Sequence, residues 1–259
     1  MNRPSRRPVS AVVIAFNEER NIAACLESLR WADEIVVVDS GSADRTREIA
    51  LRYTDKVFDV PWKGFGPQKR EAVDRASHDV VFNADCDERV TPELAEEIAG
   101  VLSGAAMAAA YTVPRRTFFG GKEIRRCGWY PDRTTRLFDR RKARFSGDLV
   151  HERVEVSGEP LPLRHHLIHH SFSGIGDVLG KMNRYGDLSA RQMFERGKRC
   201  GISDLTLRPA FAFLKTYLFR LGFLDGVEGL VISAASAWMV FTKYAKLRER
   251  TQSAGKGTD

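Results

Sequence analysis

The chain has 259 residues, 43% hydrophobic and 29% charged, with a formal net charge of +7. Those proportions suit a globular protein that buries a core and exclude a fibrous or disordered chain. The positive balance suits an anionic partner such as nucleic acid, acidic lipid or a phosphorylated substrate. Four scattered cysteines without a Cys-x-x-Cys pair argue against a zinc module or a disulfide framework and for a reducing compartment.

Arg3, Arg6 and Arg7 precede an apolar run at 11–16 that is too short for a secretory leader, so a cytosolic protein is expected. Residues 10–16 read as a buried strand, followed by Asn17, Glu18 and Glu19. Ile22, Cys25, Leu26 and Leu29 then recur at helical spacing. A second strand over 34–39 ends in Asp39, and a second helix covers 44–53. Residues 56–60 form a third strand, 64–66 a flexible turn and 68–76 a basic helix. The fourth strand, 79–85, opens apolar and ends in Asp85-Cys86-Asp87-Glu88. Thr91 caps a fourth helix with Pro92 at its first position and Leu94, Ile98 and Leu102 inward. This alternation predicts a mostly parallel sheet covered on both faces, and right-handed crossovers bring Asn17, Asp39 and Asp85 to one edge.

Two aspartates one residue apart on extended backbone point the same way and suit a hard divalent cation at a strand's carboxyl end. The plainer reading of Asp85 and Asp87 is a solvated turn before a helix. After residue 104, short strands at 108–116, 123–126, 134–138 and 152–156 replace the alternation, with Gly120-Gly121 as a hairpin turn. Residues 115–144 hold eleven Lys or Arg against three Asp or Glu, either a solvated basic face or a surface for an anionic acceptor or lipid. His165, His166, His169 and His170 flank Leu167 and Ile168, which suggests a half-buried strand. A zinc pair is the alternative, and one of these histidines completing a cation site on Asp87 is a third reading.

The last third is helical. One helix covers 177–199 with Leu179, Met182, Tyr185, Leu188 and Met193 on one side, and an aromatic-rich segment covers 207–224. Residues 229–241 are almost wholly apolar, but thirteen residues are too few to cross a bilayer. An apolar face flanked by Lys and Arg either lies in a membrane interface or pairs with another helix. Residues 251–259 read as a disordered tail.

Four signals stand in one order: Ala15-Phe16-Asn17-Glu18-Glu19; Val38-Asp39-Ser40-Gly41-Ser42-Ala43-Asp44-Arg45-Thr46; Asn83-Ala84-Asp85-Cys86-Asp87-Glu88; and Asp148-Leu149-Val150-His151-Glu152. Together they resemble family 2 glycosyltransferases. Gly128-Trp129-Tyr130-Pro131-Asp132, Arg136-Leu137-Phe138, Lys215-Thr216-Tyr217 and Gly222-Phe223-Leu224-Asp225-Gly226 narrow the resemblance to the lipopolysaccharide core β-1,4-glucosyltransferase group. The resemblance implies an α/β chain with the GT-A nucleotide-diphospho-sugar transferase fold, a Rossmann-like, mostly parallel sheet with a smaller mixed sheet, plus C-terminal helices. The expected division is a transferase domain over 9–172, with a nucleotide-binding half at 9–104 and an acceptor-binding half at 105–172. A helical region at 173–250, for which membrane association is expected, and the tail at 251–259 follow.

The implied reaction is inverting transfer of a hexose from a UDP-sugar to a lipid-linked saccharide such as lipopolysaccharide core. It is expected at the cytoplasmic face of the inner membrane, with no nucleic-acid partner. Asp39 would contact the nucleoside, Asp85 the ribose, and Asp87 a Mg²⁺ or Mn²⁺ ion. Asn17 and Glu18 would border the base or ribose, with Lys69 and Arg70 near the diphosphate. The family places an acidic base after a Glu-Asp step; here His151-Glu152 stands there, so the role passes to Glu152, with Asp132 in reserve. Trp129, Asp132 and Arg136 would meet the acceptor. The alternatives are a polyprenyl-phosphate sugar transferase of the same fold and a catalytically inactive membrane-associated scaffold.

Overall fold

The computed structural model describes residues 6–147, 152–172 and 174–256. Its contacts divide into two units, one formed by Met1–Arg116 and Asp132–His169 and the other by Thr117–Pro131 and His170–Asp259.

In the first unit, strands β1 (Val9–Ala15), β2 (Glu34–Asp39), β3 (Val57–Asp59) and β4 (Val80–Asp85) alternate with helices α1 (Ile22–Ser28), α2 (Thr46–Ala50) and α3 (Phe65–Asp74). The four strands are parallel in the order β3-β2-β1-β4. Being covered on both faces, β1 is buried at every position but Ile14. Its odd-numbered residues Val9, Ala11 and Val13 join Phe82 with Ile22 and Leu26 of α1. Val12 on the opposite face joins Val36, Val38 and Val81 with Ala72 and Val73 of α3.

The sheet continues past β4 into antiparallel strands, β8 (Asp132–Asp139) and then β6 (Ala110–Phe119). The smaller mixed half expected from the sequence is thus partly an extension of the same sheet. Strand β5 (Glu88–Val90) follows β4 almost at once and leads to α4 (Pro92–Ser103). The Thr91 hydroxyl accepts the Leu94 N–H at 3.2 Å, and Leu94, Ile98 and Leu102 face inward as their spacing requires. Strand β7 (Lys122–Ile124) closes a hairpin with β6 across Gly120-Gly121. Strands β9 (Ala143–Phe145) and β10 (Val154–Val156) pair in a small antiparallel ribbon. Strand β11 (Leu161–Pro162) runs parallel to β6, and β12 (Leu167–Phe172) pairs with β5 through Leu167, Ile168 and His169.

Two boundaries differ from expectation. Helix α2 is half the expected length because the Asp44 carboxylate accepts the Thr46 N–H at 3.0 Å and ties residues before it into a loop. Helix α3 starts three residues early: Gly64 precedes it at φ 106°, and Pro67 fits its first turn, where no backbone donor is needed.

The second unit holds α5 (Ile175–Glu195), α6 (Ile202–Leu214) and α7 (Gly226–Lys256). The buried stripe of α5 is Val178, Met182, Gly186 and Ala190, whereas Leu179, expected inside, is 52% exposed. The small residues in that stripe allow close approach: a Cβ on Gly186 would lie 3.2 Å from the Thr242 methyl of α7. Between α6 and α7 the expected aromatic helix breaks into a π-helical turn, Lys215–Phe219, and a 3₁₀ turn, Gly222–Asp225. The reversal brings backbone against backbone, since a Cβ on Gly229 would run into the Gly222 carbonyl. The apolar run at 229–241 is therefore the middle of a 31-residue helix. That helix also continues into the segment expected to be a disordered tail. Counted from Gly222 to Ser253, it is long and apolar enough to cross a membrane, with an 18-residue window of mean hydropathy 1.4 that is 22% buried. The length expectation from thirteen residues is corrected accordingly.

Candidate active site

The carboxyl edge of the parallel strands gathers the acids. In register, Ala15 stands beside Asp39, and Ile14 beside Asp85, so the ends of β1, β2 and β4 meet at one edge as the crossovers require. Asp39 is 2% exposed. It accepts the backbone N–H groups of Gly41 and Ser42 at 3.2 and 2.9 Å and the Ser42 hydroxyl at 2.5 Å. The following loop is laced to the one after β1. The Asn17 N–H donates to Ser42 Oγ at 2.8 Å, and the Asn17 side-chain oxygen accepts the Ala43 N–H at 2.8 Å. The Glu18 N–H donates to Thr46 Oγ1 at 2.7 Å. Asn17 and Asp39 thus belong to one hydrogen-bonded pair of loops, with Asn17 at φ 55°. Gln68, which sequence reasoning passed over, ties the second of these loops to the end of β3 by donating to Ser40 Oγ and the Val60 carbonyl, both at 3.0 Å.

A chain of alternating charges runs beneath the end of β4. The Lys69 ammonium lies 2.7 Å from Glu152 Oε1 and 2.8 Å from Asp85 Oδ1. Arg136 donates to Asp85 Oδ2 at 2.6 Å and also pairs with Glu88. Arg115 lies 3.3 Å from Glu88 and bonds Asp132 through its Nε at 3.0 Å. Burial by itself would raise the Asp85 carboxyl, but Arg136 and Lys69 overcome it and hold the acid well below its ordinary range. Burial likewise opposes the charge on Lys69, and Asp85 leads the attraction that raises its ammonium instead.

This network takes in two of the expected site residues. Arg136, expected at the acceptor, is 3% exposed and spends its guanidinium on Asp85 and Glu88. Lys69, expected beside a diphosphate, is also 3% exposed and bridges two carboxylates. An unpaired buried charge is too costly to leave exposed to hydrocarbon, so each cation is taken up by the nearest acid. Arg70 turns away to donate to the Phe145 carbonyl at 2.6 Å. Asp132 is half-buried against Arg115, and Trp129 packs in the second unit near Phe172, ring centroids 6.1 Å apart. Glu88, named with Asp85 and Asp87 at the strand end but given no role from the sequence, is fully buried.

Asp87 pairs with a different partner. Its Oδ2 lies 3.5 Å from His169 Nε2 because β12 pairs with β5, the strand that starts one residue later. The histidine cluster is therefore divided. His165 Nδ1 contacts Glu97 at 3.0 Å, and among the described residues no group of three or more His, Cys, Asp or Glu gathers as a metal cage. One carboxylate and one imidazole within reach of each other fit a divalent cation that takes its other ligands from water and phosphate oxygens. Cys86, between the two aspartates, is buried with its thiol pushed up by that burial, which removes it as a nucleophile. The motif residues 148–151 lie outside the described residues.

Sequence comparison decides the family. The profile of "Glycosyl transferase family 2" matches residues 10–156. The chain is a family 2 glycosyltransferase. It is 32% identical over 256 residues to the lipopolysaccharide core biosynthesis glycosyltransferase LpsC of Rhizobium meliloti (strain 1021), covering 94% of this chain and 93% of that one. It is 29% identical over 261 residues to an uncharacterized glycosyltransferase of Rickettsia conorii, covering 96% and 93%. Among solved structures, S. aureus TarS 1-349 with UDP aligns over 95% of this chain and 92% of that one, at 13% identity and a TM-score of 0.49. Glucosyl-3-phosphoglycerate synthase of Mycobacterium tuberculosis, solved with Mn²⁺, UDP and its product, aligns over 44% and 45%, at 26% identity and a TM-score of 0.36. The family match covers the parallel strands and the charge network, and the glycosyltransferase carries the GT-A arrangement of a mostly parallel sheet, a small antiparallel ribbon and C-terminal helices.

Proposed function

We propose that this glycosyltransferase moves a hexose with inversion from a UDP-sugar to a lipid-linked saccharide of the lipopolysaccharide core class. The observation that carries the proposal is the family match over residues 10–156, which includes the strand ends that bring Asp39 and Asp85 to one sheet edge, with Asp87 two residues further along the chain. Kinship with the rhizobial core-biosynthesis protein over 94% of the chain supports the acceptor class. Work at the cytoplasmic face of the inner membrane follows from that acceptor.

The roles follow from chemistry. The paired loops at Asp39, Asn17 and Glu18 receive the nucleoside in this reading. Asp87 and His169 would hold a Mg²⁺ or Mn²⁺ ion, which supplies a Lewis acid for the charge that develops on the departing diphosphate. A sugar hydroxyl attacks well only as its proton leaves, and Glu152 accepts that proton, a contribution of roughly 10²–10⁴-fold. Attack opposite the diphosphate turns an α-linked donor into a β-linked product. Trp129 and Asp132 are the acceptor-side residues of this reading; Arg136 acts through Asp85 as a positioning residue.

Titration calorimetry with UDP, with and without Mn²⁺, on the full chain and on Asp87→Ala tests it. Metal-dependent UDP binding that Asp87→Ala removes supports the site. Absence of UDP binding in either metal state sinks the proposal.

A further inference from the structure

The second unit carries a feature that the transferase chemistry does not use. Helices α6 and α7 pack together, yet no residue of α6 is buried. Phe211 is 59% exposed and Trp238 51%. Between the helices lies a groove of about 440 Å³ whose lining includes Pro209, Phe213, Ala234, Trp238 and Phe241 and contains no charged side chain. Trp238 and Phe241 stack at 5.5 Å along its wall.

Cations gather next to one end of this groove in sequence and in space. Arg208 adjoins Pro209, and its guanidinium lies 5.4 Å from the Tyr244 ring centroid; the Lys243 ammonium lies 5.2 Å from the same ring. Asp204 engages Arg208 through Nε at 2.5 Å. Burial lowers Lys243 from its ordinary value, and the neighbouring Arg208 adds to that. The wider charge balance points the same way. Residues 117–131 and 170–259 hold 17 Lys or Arg against 9 Asp or Glu, whereas the first unit holds 24 against 25. The chain's whole positive excess therefore belongs to the unit that exposes the apolar face.

We propose that the α6–α7 face is a docking site for an anionic phospholipid surface, with an acyl chain along the groove and the lipid phosphate on Arg208 and Lys243. An apolar, aromatic face bordered by Lys and Arg matches the boundary between headgroup and hydrocarbon. The same charge disfavours a second copy as occupant, because two such faces would bring like charges together. The site stands on the second unit alone and does not depend on the sugar chemistry.

Flotation of the full chain with vesicles of equimolar phosphatidylcholine and phosphatidylglycerol, against phosphatidylcholine alone, tests it. The chain floats with the anionic vesicles only. The double variant Arg208→Gln, Lys243→Gln weakens binding about fivefold per charge. Trp238→Ser, at an exposed position, removes flotation and leaves the melting temperature unchanged. Failure to float with anionic vesicles, equal flotation with neutral ones, or undiminished binding of the double variant overturns the site. A dimer in sedimentation that Trp238→Ser dissociates also overturns it and gives the face to a second copy.

Discussion

The Lys69 ammonium and the Glu152 carboxylate, 83 residues apart in sequence, meet at 2.7 Å beneath the sheet edge. The same ammonium holds Asp85 at 2.8 Å, so one buried cation supports both the acid assigned to the ribose and the acid assigned to the base.

Replacing that cation should therefore be severe. Lys69→Met leaves Asp85 and Glu152 without a shared partner, and removing one member of a buried ion pair typically costs about 3–5 kcal/mol. Urea unfolding of the variant should show a loss of that order, together with lost turnover. A stability change under about 1 kcal/mol would mean that the two carboxylates find other partners.

Glu152→Gln separates shape from proton transfer. Glutamine keeps an oxygen for Lys69, so folding and UDP binding should persist while turnover falls about 10²–10⁴-fold. Calorimetry and a donor-consumption assay on the same preparation check both halves. A near-normal rate would remove Glu152 as base and favour an acceptor phosphate, which needs no such help.

Acid sensitivity has a specific source at the other end of β2. Burial by itself would raise Glu34, but bonds from Lys56, Ser10 and Ser77 overcome it and hold the carboxyl at about 2 rather than 4.5. A folded value below the unfolded one gives stability that is present above pH about 4.5 and lost as pH falls toward 2. Asp85, also held low, adds loss in the same direction. Denaturant midpoints measured from pH 7 downward should fall through that window, and Glu34→Gln should flatten the curve. An unchanged slope in Glu34→Gln would place the acid response elsewhere.

Gly229→Ala tests the reversal between α6 and α7. The added Cβ would run into the Gly222 carbonyl, and backbone on both sides leaves little room to relax. A loss of about 3 kcal/mol or more is expected, the upper end of what overpacking costs. Thermal unfolding monitored by circular dichroism reads it directly; a melting temperature within a degree or so of the parent would show that the helix start shifts freely.

Residue patterns carried much of the first unit. Alternating apolar runs and helical spacing located β1, β2, β4 and α4 within a residue or two, because a strand buried on both faces has few other sequences open to it. The strand-end acids were legible for the same reason: Asp39 and Asp85 break apolar runs where a sheet edge must begin. Patterns failed where packing overrode local preference. Leu179 fits an amphipathic stripe but lies outside it, since Gly186 and Ala190 let α7 come nearest on the adjoining face.

Composition, periodicity and motif order by themselves determined the parallel α/β core, the acid-bearing edge and the resemblance to family 2, because each depends on spacing within one short stretch. Only the tertiary structure decided which of these side chains meet. Lys69 with Glu152, Arg136 with Asp85 and His169 with Asp87 join residues 51 to 83 positions apart. Partners at such separations are chosen by strand order and by the cost of burying a charge alone, and neither is written in any local run of residues.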